Sequence, residues 1–276
     1  MSELYRRPYY EPPPGKDSGA TPMQVLITGI TPPAPSATYG AMTTLVGLRL
    51  DGPRHWIRFD EIPAHPLSQS APVQRYDIVS TVAEPDPDDP RPESWRAHDG
   101  TLRVRHEARQ WPRRTAILHH HAEWSMCDIH QAATERDDAQ SVALIRAAEL
   151  RYLRIGRTPV AAPAERWSAA TWRRHEPDLF RPIVHDLLRR PPFTLAYRYR
   201  CHHGGCRGHV QQLRDREVVA FQQRRRRYCG LPLRRALVGE FWWPLRQPGR
   251  EVGFLVGNRR DAPATFDVLD TIILRR

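Results

Sequence analysis

The chain has 276 residues, 40 % of them hydrophobic, and a formal net charge of +11. That length is enough for one large core or two modest ones, and no apolar run is long enough to cross a bilayer as a helix, which argues against a membrane partner. The opening residues carry no apolar stretch of the secretory kind, and four cysteines are too few for a disulfide framework, so a cytoplasmic, reducing location is the expectation.

Residues 1–22 are polar and proline-rich and are expected to form a disordered or loosely docked arm. Five short apolar runs follow, separated by turn signals: "MQVLITGI" (23–30), "TTLVGLRLD" (43–51), "HWIRFDEI" (55–62), "YDIVSTVAE" (76–84) and "TLRVRHEA" (101–108). The alternation of Val46, Leu48 and Leu50 and the "DGPR" turn after it fit a hairpin. Five such strands predict a small β-barrel of the OB or SH3-like kind over residues 23–120. Between the fourth and fifth runs, "EPDPDDPRPES" (84–94) is broken by proline at every second or third place, and an acidic, solvent-exposed loop is expected there.

Over residues 121–190 the period changes, and a helical connecting region is expected. Trp124, Ile129 and Ala132 fall at helical spacing, "SVALIRAAELRYLRIGR" reads equally as two strands or one helix, and "AAPAERWSAATWRRHEPDLFRPIVHDLLRRPP" reads as helix. Residues 191–276 then predict a basic α+β domain, making the whole chain α+β. It begins with "FTLAYRYRC", a strand with Phe193, Leu195, Tyr197, Tyr199 and Cys201 on one face. His209, Leu213, Ala220 and Phe221 fit a following helix, and "EVGFLVGN" and "TFDVLDTIIL" fit two closing strands.

Charge is concentrated in this last third. Residues 187–276 hold 19 arginines against 7 acids, a net of +12, while the first 186 residues net −1. Such a footprint suits a polyanion. Arg224 to Arg227 are consecutive and cannot all find acids nearby, whereas phosphates match the planar guanidinium fork. Arg198, Arg200, Arg207, Arg234 and Arg235 add to the same candidate nucleic-acid surface, and Tyr197, Tyr199, Tyr228, Trp242 and Trp243 are either stacking residues or core.

Three of the four cysteines lie in the same third. Cys201, Cys206 and His209 have the spacing C-x4-C-x2-H, with Gly204 and Gly205 letting the chain turn round an ion, so they are candidate ligands of a structural zinc knuckle. The fourth ligand is His203, Cys229, or a residue of a distant pair such as Cys127 and His130; His121 with Cys127 and His130 is a second metal possibility. Asp215 and Glu217 raise a catalytic alternative, a metal-dependent nuclease with Mg or Mn and His209 as general base. That alternative needs a strand at 215–217, because on a helix the two acids lie about 200° apart.

The pattern "YRYRC…CRGH…DRE", with "FLVGNRRDAPATFDVL" and "APSATYGAMTTLVGLRL…WIRFDEIP…DPRPES", resembles a family of bacterial proteins labelled only as hypothetical. Those proteins carry a C-x4-C-x-G-H turn, an Asp-Trp-Glu step, a Phe-x-Val-Gly-Asn strand and a Pro-Glu-Ser loop. The match covers most of residues 24–274, with Arg216 in place of the tryptophan. It implies importance for Cys201, Cys206, His209, Asp215 and Glu217 but no reaction. The functional expectations are therefore a nucleic-acid-binding protein organised by zinc, the nuclease, or an interaction subunit of a larger nucleic-acid-processing complex that uses loop 84–94.

Overall fold

The computed structural model describes residues 19–36, 40–52, 54–64, 73–105, 114–159 and 188–275. Most of the expected N-terminal arm, and the helical stretch expected after residue 160 as far as residue 187, lie outside the described residues.

The N-terminal unit runs β1 (Thr21–Ile30), β2 (Ala34–Ser36), β3 (Gly40–Arg49), β4 (Trp56–Pro63), β5 (Ile78–Pro85), β6 (Ser94–Ala97) and β7 (Arg103–Arg105). Strands β1-β3-β4-β6-β5 pair in that order, and β5 pairs back onto β1, so five strands close a barrel. All its ladders are antiparallel except β4 with β6. Period-two alternation decides what fills it: Val25, Ile27, Leu45, Ile57, Phe59, Val79 and Trp95 form the interior cluster. Alternate residues of the same strands, Leu26, Val46 and Leu48, point outward and are equally buried.

Two expectations change here. Among the described residues the run at 101–108 supplies β7, which pairs with β5 outside the ring; the fifth ring strand is β6, too short to show alternation. The acidic loop is not exposed throughout, because Asp89, Arg91, Glu93 and Ser94 are buried. Arg91 binds Asp89 at 2.5 Å and also Asp60 of β4 at 2.7 Å, so part of the loop's charge is paired within the fold, while Asp88 stays exposed.

The second unit contains α1 (Arg114–His120), β8 (Ala122–Glu123), α2 (Met126–Glu135), β9 (Val142–Arg146), β10 (Glu149–Arg157), β11 (Phe193–Arg200), β12 (His209–Leu213), α3 (Arg216–Arg224), α4 (Gly230–Phe241), β13 (Glu251–Arg259) and β14 (Ala262–Arg275). Its seven strands are ordered β10-β11-β12-β14-β13-β9-β8. The ambiguous stretch 141–157 is therefore two strands, and that part of the expected connecting region belongs to the second sheet. His209 begins a strand instead of a helix, with His209, Gln211 and Leu213 alternating against Tyr199, Tyr197 and Leu195.

One face of this sheet packs on helices: Tyr197, Tyr199, Phe254 and Val256 share a cluster with Met126 and Ile129 of α2, Phe221 of α3 and Leu237 of α4. The other face of β9, β13 and β14 packs on the barrel, where Leu144, Leu255, Leu269 and Leu274 meet Leu26, Val46, Leu48 and Trp56. Burying each such side chain contributes about 1.5–3 kcal/mol, so the two units share one core. Gly29 of β1 permits the close approach, since a Cβ there would lie 2.8 Å from Leu255.

A buried polar seam flanks that core. Arg58 donates to the carbonyls of Asn258 at 2.9 Å and Ser141 at 3.1 Å, and Glu93 accepts from the Ser141 amide and hydroxyl at 3.0 and 2.5 Å. Burial pushes the Glu93 carboxyl up from its ordinary range, against the Ser141 hydrogen bonds that hold it down. The stretches "WIRFDEIP", "DPRPES" and "FLVGN" that carry the family resemblance thus meet where the two units join.

Candidate metal centre

Strand β11 ends at Arg200, and the chain then turns through His202 to Gly208 before β12 returns beside it. The turn is closed by the Cys206 amide donating to the His203 carbonyl at 3.0 Å and by the Gly205 amide donating to His203 Nδ1 at 3.1 Å. Gly208 has φ of 102°, a left-handed conformation that a side chain resists, which accounts for glycine between Cys206 and His209. A third element joins from far away in sequence. Ser125 caps α2 by accepting from the Asp128 amide at 3.1 Å, and the His202 amide donates to the Trp124 carbonyl at 2.9 Å. These contacts hold the first turn of α2, and with it Cys127, against the knuckle.

Cys127, Cys201, Cys206 and His209 consequently converge, with one ligand atom from each lying within 4.8 Å of all the others. His209 Nε2 is 3.3 Å from Cys206 Sγ and 3.5 Å from Cys127 Sγ, and the Cys127 and Cys201 sulfurs are 3.7 Å apart. A tetrahedron with zinc–sulfur bonds of about 2.3 Å and a zinc–nitrogen bond of about 2.0 Å has edges of about 3.8 and 3.5 Å, so the four atoms fit such an ion. Cys201 and Cys206 are buried and the other two half-buried. Burial and the neighbouring sulfurs push the Cys127 thiol up to about 12. Three sulfurs packed this closely need a cation before all can ionise, while the α2 N-terminus adds a favourable dipole for Cys127.

The other ligand candidates sit elsewhere. Exposed His203 uses Nδ1 for the Gly205 amide and faces Asp128 at 3.8 Å; exposed Cys229 precedes α4; His130 is exposed on α2. His121 also lies outside the cluster, and burial, with His120 beside it, lowers its pKa to about 4, leaving it neutral.

The residues expected for hydrolysis are not assembled. His209 faces sulfur atoms, whereas Asp215 caps α3 by accepting from the Glu217 amide at 2.8 Å. Asp215 and Glu217 line a cavity of about 10 Å³ with Asp270, Arg75 and Arg216, where Arg75 pairs with Asp270 at 2.5 Å. Burial raises Asp215 to about 6 and Asp270 well above the usual carboxylate range, with Arg75 opposing both shifts. Among the described residues the sulfur–histidine cluster is the only group of three or more potential ligands this close.

The candidate arginines divide by sheet face. Arg198 and Arg200 alternate with buried Tyr197 and Tyr199 and so lie on the side away from the helices. Arg200 Nε donates to the Cys206 carbonyl at 2.9 Å, tying that side to the knuckle. On the helix side, α3 ends at Arg224, so Arg225 to Arg227 form a turn and do not extend the helix. Arg225 stacks on Phe221 at 3.8 Å and Arg234 on Phe193 at 4.9 Å, while Arg224 reaches Glu217 only at 3.9 Å. An open groove of about 400 Å³ is lined by Arg189, Ala220, Gln223, Arg224 and Arg226. Among the described residues, the exposed side chains of Arg207, Arg226, Arg227 and Arg235 meet no acid. Of the aromatic candidates, Tyr197, Tyr199 and Trp242 are core, while Tyr228 and Trp243 are exposed. Of the alternatives left open for the fourth ligand, the structure brings Cys127 into the set and leaves out His203, Cys229 and His130; sequence reasoning did not single out Tyr152, which register sets beside Arg198.

No helix among the described residues is long and apolar enough to cross a membrane. Residues 122–275 match a domain of unknown function (DUF8757) and residues 21–120 a second domain of unknown function (DUF8758). No curated protein matches the chain.

Proposed function

The chain belongs to the DUF8757 family, whose function is unknown, and from its own residues we propose a nucleic-acid-binding protein organised by a structural zinc site. Cys127, Cys201, Cys206 and His209 would hold the ion. With four protein ligands and none left for water, such a site supplies cross-linking and not Lewis-acid chemistry. It ties α2 to the β11–β12 turn and so sets the course of β11, the strand that carries Arg198 and Arg200. A reducing cytoplasm, where thiolates stay free to ligate metal, suits this reading.

The observation that carries the nucleic-acid reading is the set of exposed, uncompensated arginines in a segment of net charge +12. Structural arginines in this chain are paired or stacked, as Arg58, Arg91 and Arg225 are. Arg226, Arg227 and Arg235 are neither, and phosphate oxygens are the bidentate acceptors that suit them. Their contacts carry no base information, so the contribution should be independent of sequence.

The test is fluorescence anisotropy with labelled oligonucleotides of several sequences at fixed salt. Replacing Arg224 and Arg226 together by alanine should weaken binding to all of them alike and flatten the salt dependence by about one phosphate per arginine. Unchanged binding would remove the groove from the reading, and no binding by the native, zinc-loaded protein would refute it.

A further inference from the structure

The barrel covers one face of the second sheet only over β9, β13 and β14. Beyond it the same sheet continues through β12, β11 and β10, and there no described residue of the barrel core packs on the face away from the helices. Register places Tyr152, Arg198 and Val210 side by side in one row across three strands, and Arg154, Ala196 and Gln212 in the next. Tyr152 is 45 % exposed and Val210 50 %, two of the few large apolar side chains exposed among the described residues. Arg198 lies 5.8 Å from the centre of the Tyr152 ring and donates to its hydroxyl at 3.4 Å, while Arg154 meets no acid among the described residues. Along this side of β10 and β11, Arg151, Arg154, Arg198 and Arg200 meet a single acid of those strands, Glu149, which Arg151 neutralises at 2.9 Å.

We propose that this open face binds single-stranded nucleic acid, with a base stacked on Tyr152 and the backbone phosphates held by Arg154 and Arg198. The inference rests on the nucleic-acid reading above and names its substrate class. Charge complementarity selects a polyanion, and the exposed ring selects one that offers a flat aromatic surface. A duplex hides its base faces, and its major groove admits a helix or a two-stranded ribbon, not a broad sheet. An unpaired strand lies along a sheet and stacks its bases on aromatic side chains without regard to sequence. Arg200, bonded to the Cys206 carbonyl, borders this face and connects its geometry to the metal knuckle.

The experiment measures binding of the zinc-loaded chain to a labelled 12-nucleotide DNA strand, the same RNA strand, and the DNA duplex, for the native protein, Tyr152→Ala and Tyr152→Phe. The expected result is that the native protein prefers single strands over duplex. Tyr152→Ala should lose about tenfold in affinity for single strands, the range of one stacked base. It should change duplex binding little, and Tyr152→Phe should retain the native affinity. Because Tyr152 is exposed, neither change threatens the fold. A difference between the DNA and RNA strands identifies which of the two the face prefers. Salt-dependent binding indifferent to Tyr152, or equal for strand and duplex, overturns the inference while leaving the nucleic-acid reading in place; absence of binding to any of the three overturns both.

Discussion

Asp215 sits where the barrel, β14 and the start of α3 meet, and its titration gives a signed prediction. Burial lifts its carboxyl from 3.8 to about 6 even though Arg75 and Arg216 pull it down. A carboxyl whose folded pKa is raised contributes stability that is complete below the unfolded value and lost as pH rises through the folded one. At 1.36 kcal/mol per unit, ionised Asp215 costs the folded state at most about 3 kcal/mol above pH 7, and about half of that is already lost at pH 5. Asparagine mimics the neutral carboxyl and caps a helix as well as aspartate does, so Asp215→Asn should keep the bond to the Glu217 amide. Urea unfolding of both zinc-loaded proteins at pH 5 and pH 8 is the assay. The variant should be the more stable at both, by about twice as much at pH 8. A variant less stable at pH 8, or a gap that does not widen with pH, would show that Arg75 and Arg216 outweigh burial.

Cys127→Ser should lower the zinc content below one ion per chain and reduce the melting temperature, whereas Cys229→Ser and His203→Ala should leave both unchanged; elemental analysis and thermal unfolding check this. In the shared core, Leu255→Ala should cost about 2–5 kcal/mol in urea unfolding, because Leu255 is fully buried between the units. Gly29→Ala should cost about 1–3 kcal/mol at the same contact by forcing the barrel and sheet apart.

Much of this architecture is legible in the chain. Strand β11 alternates so regularly that its two faces, and the separation of Tyr197 and Tyr199 from Arg198 and Arg200, follow from period two alone. Cys201, Cys206 and His209 are recognisable because a turn brings near neighbours together. Cys127 is 74 residues before Cys201, a distance at which spacing carries no information; only the pinning of α2 to the turn identifies it. The helix expected from His209 onward failed for a visible reason, since His209, Gln211 and Leu213 already alternate, but five residues are too few to outweigh the helical run that follows. Loop 84–94 was misjudged because composition reports charge and not pairing: Asp89 and Glu93 are satisfied by Arg91 and by Ser141, which is 48 residues beyond Glu93. Shared burial between the units was equally hidden, since outward residues of β1 and β3 carry the same apolar character as inward ones and merely look like fully buried strands.

The salt dependence of nucleic-acid affinity tests the central claim most directly. For the native, zinc-loaded chain, the logarithm of the association constant should fall linearly with the logarithm of salt concentration, with a slope of about −0.7 for each single-strand phosphate neutralised by an arginine. A steep line spanning several phosphates is the expected result. Affinity that is absent at low salt, or that stays level as salt rises, would contradict the account.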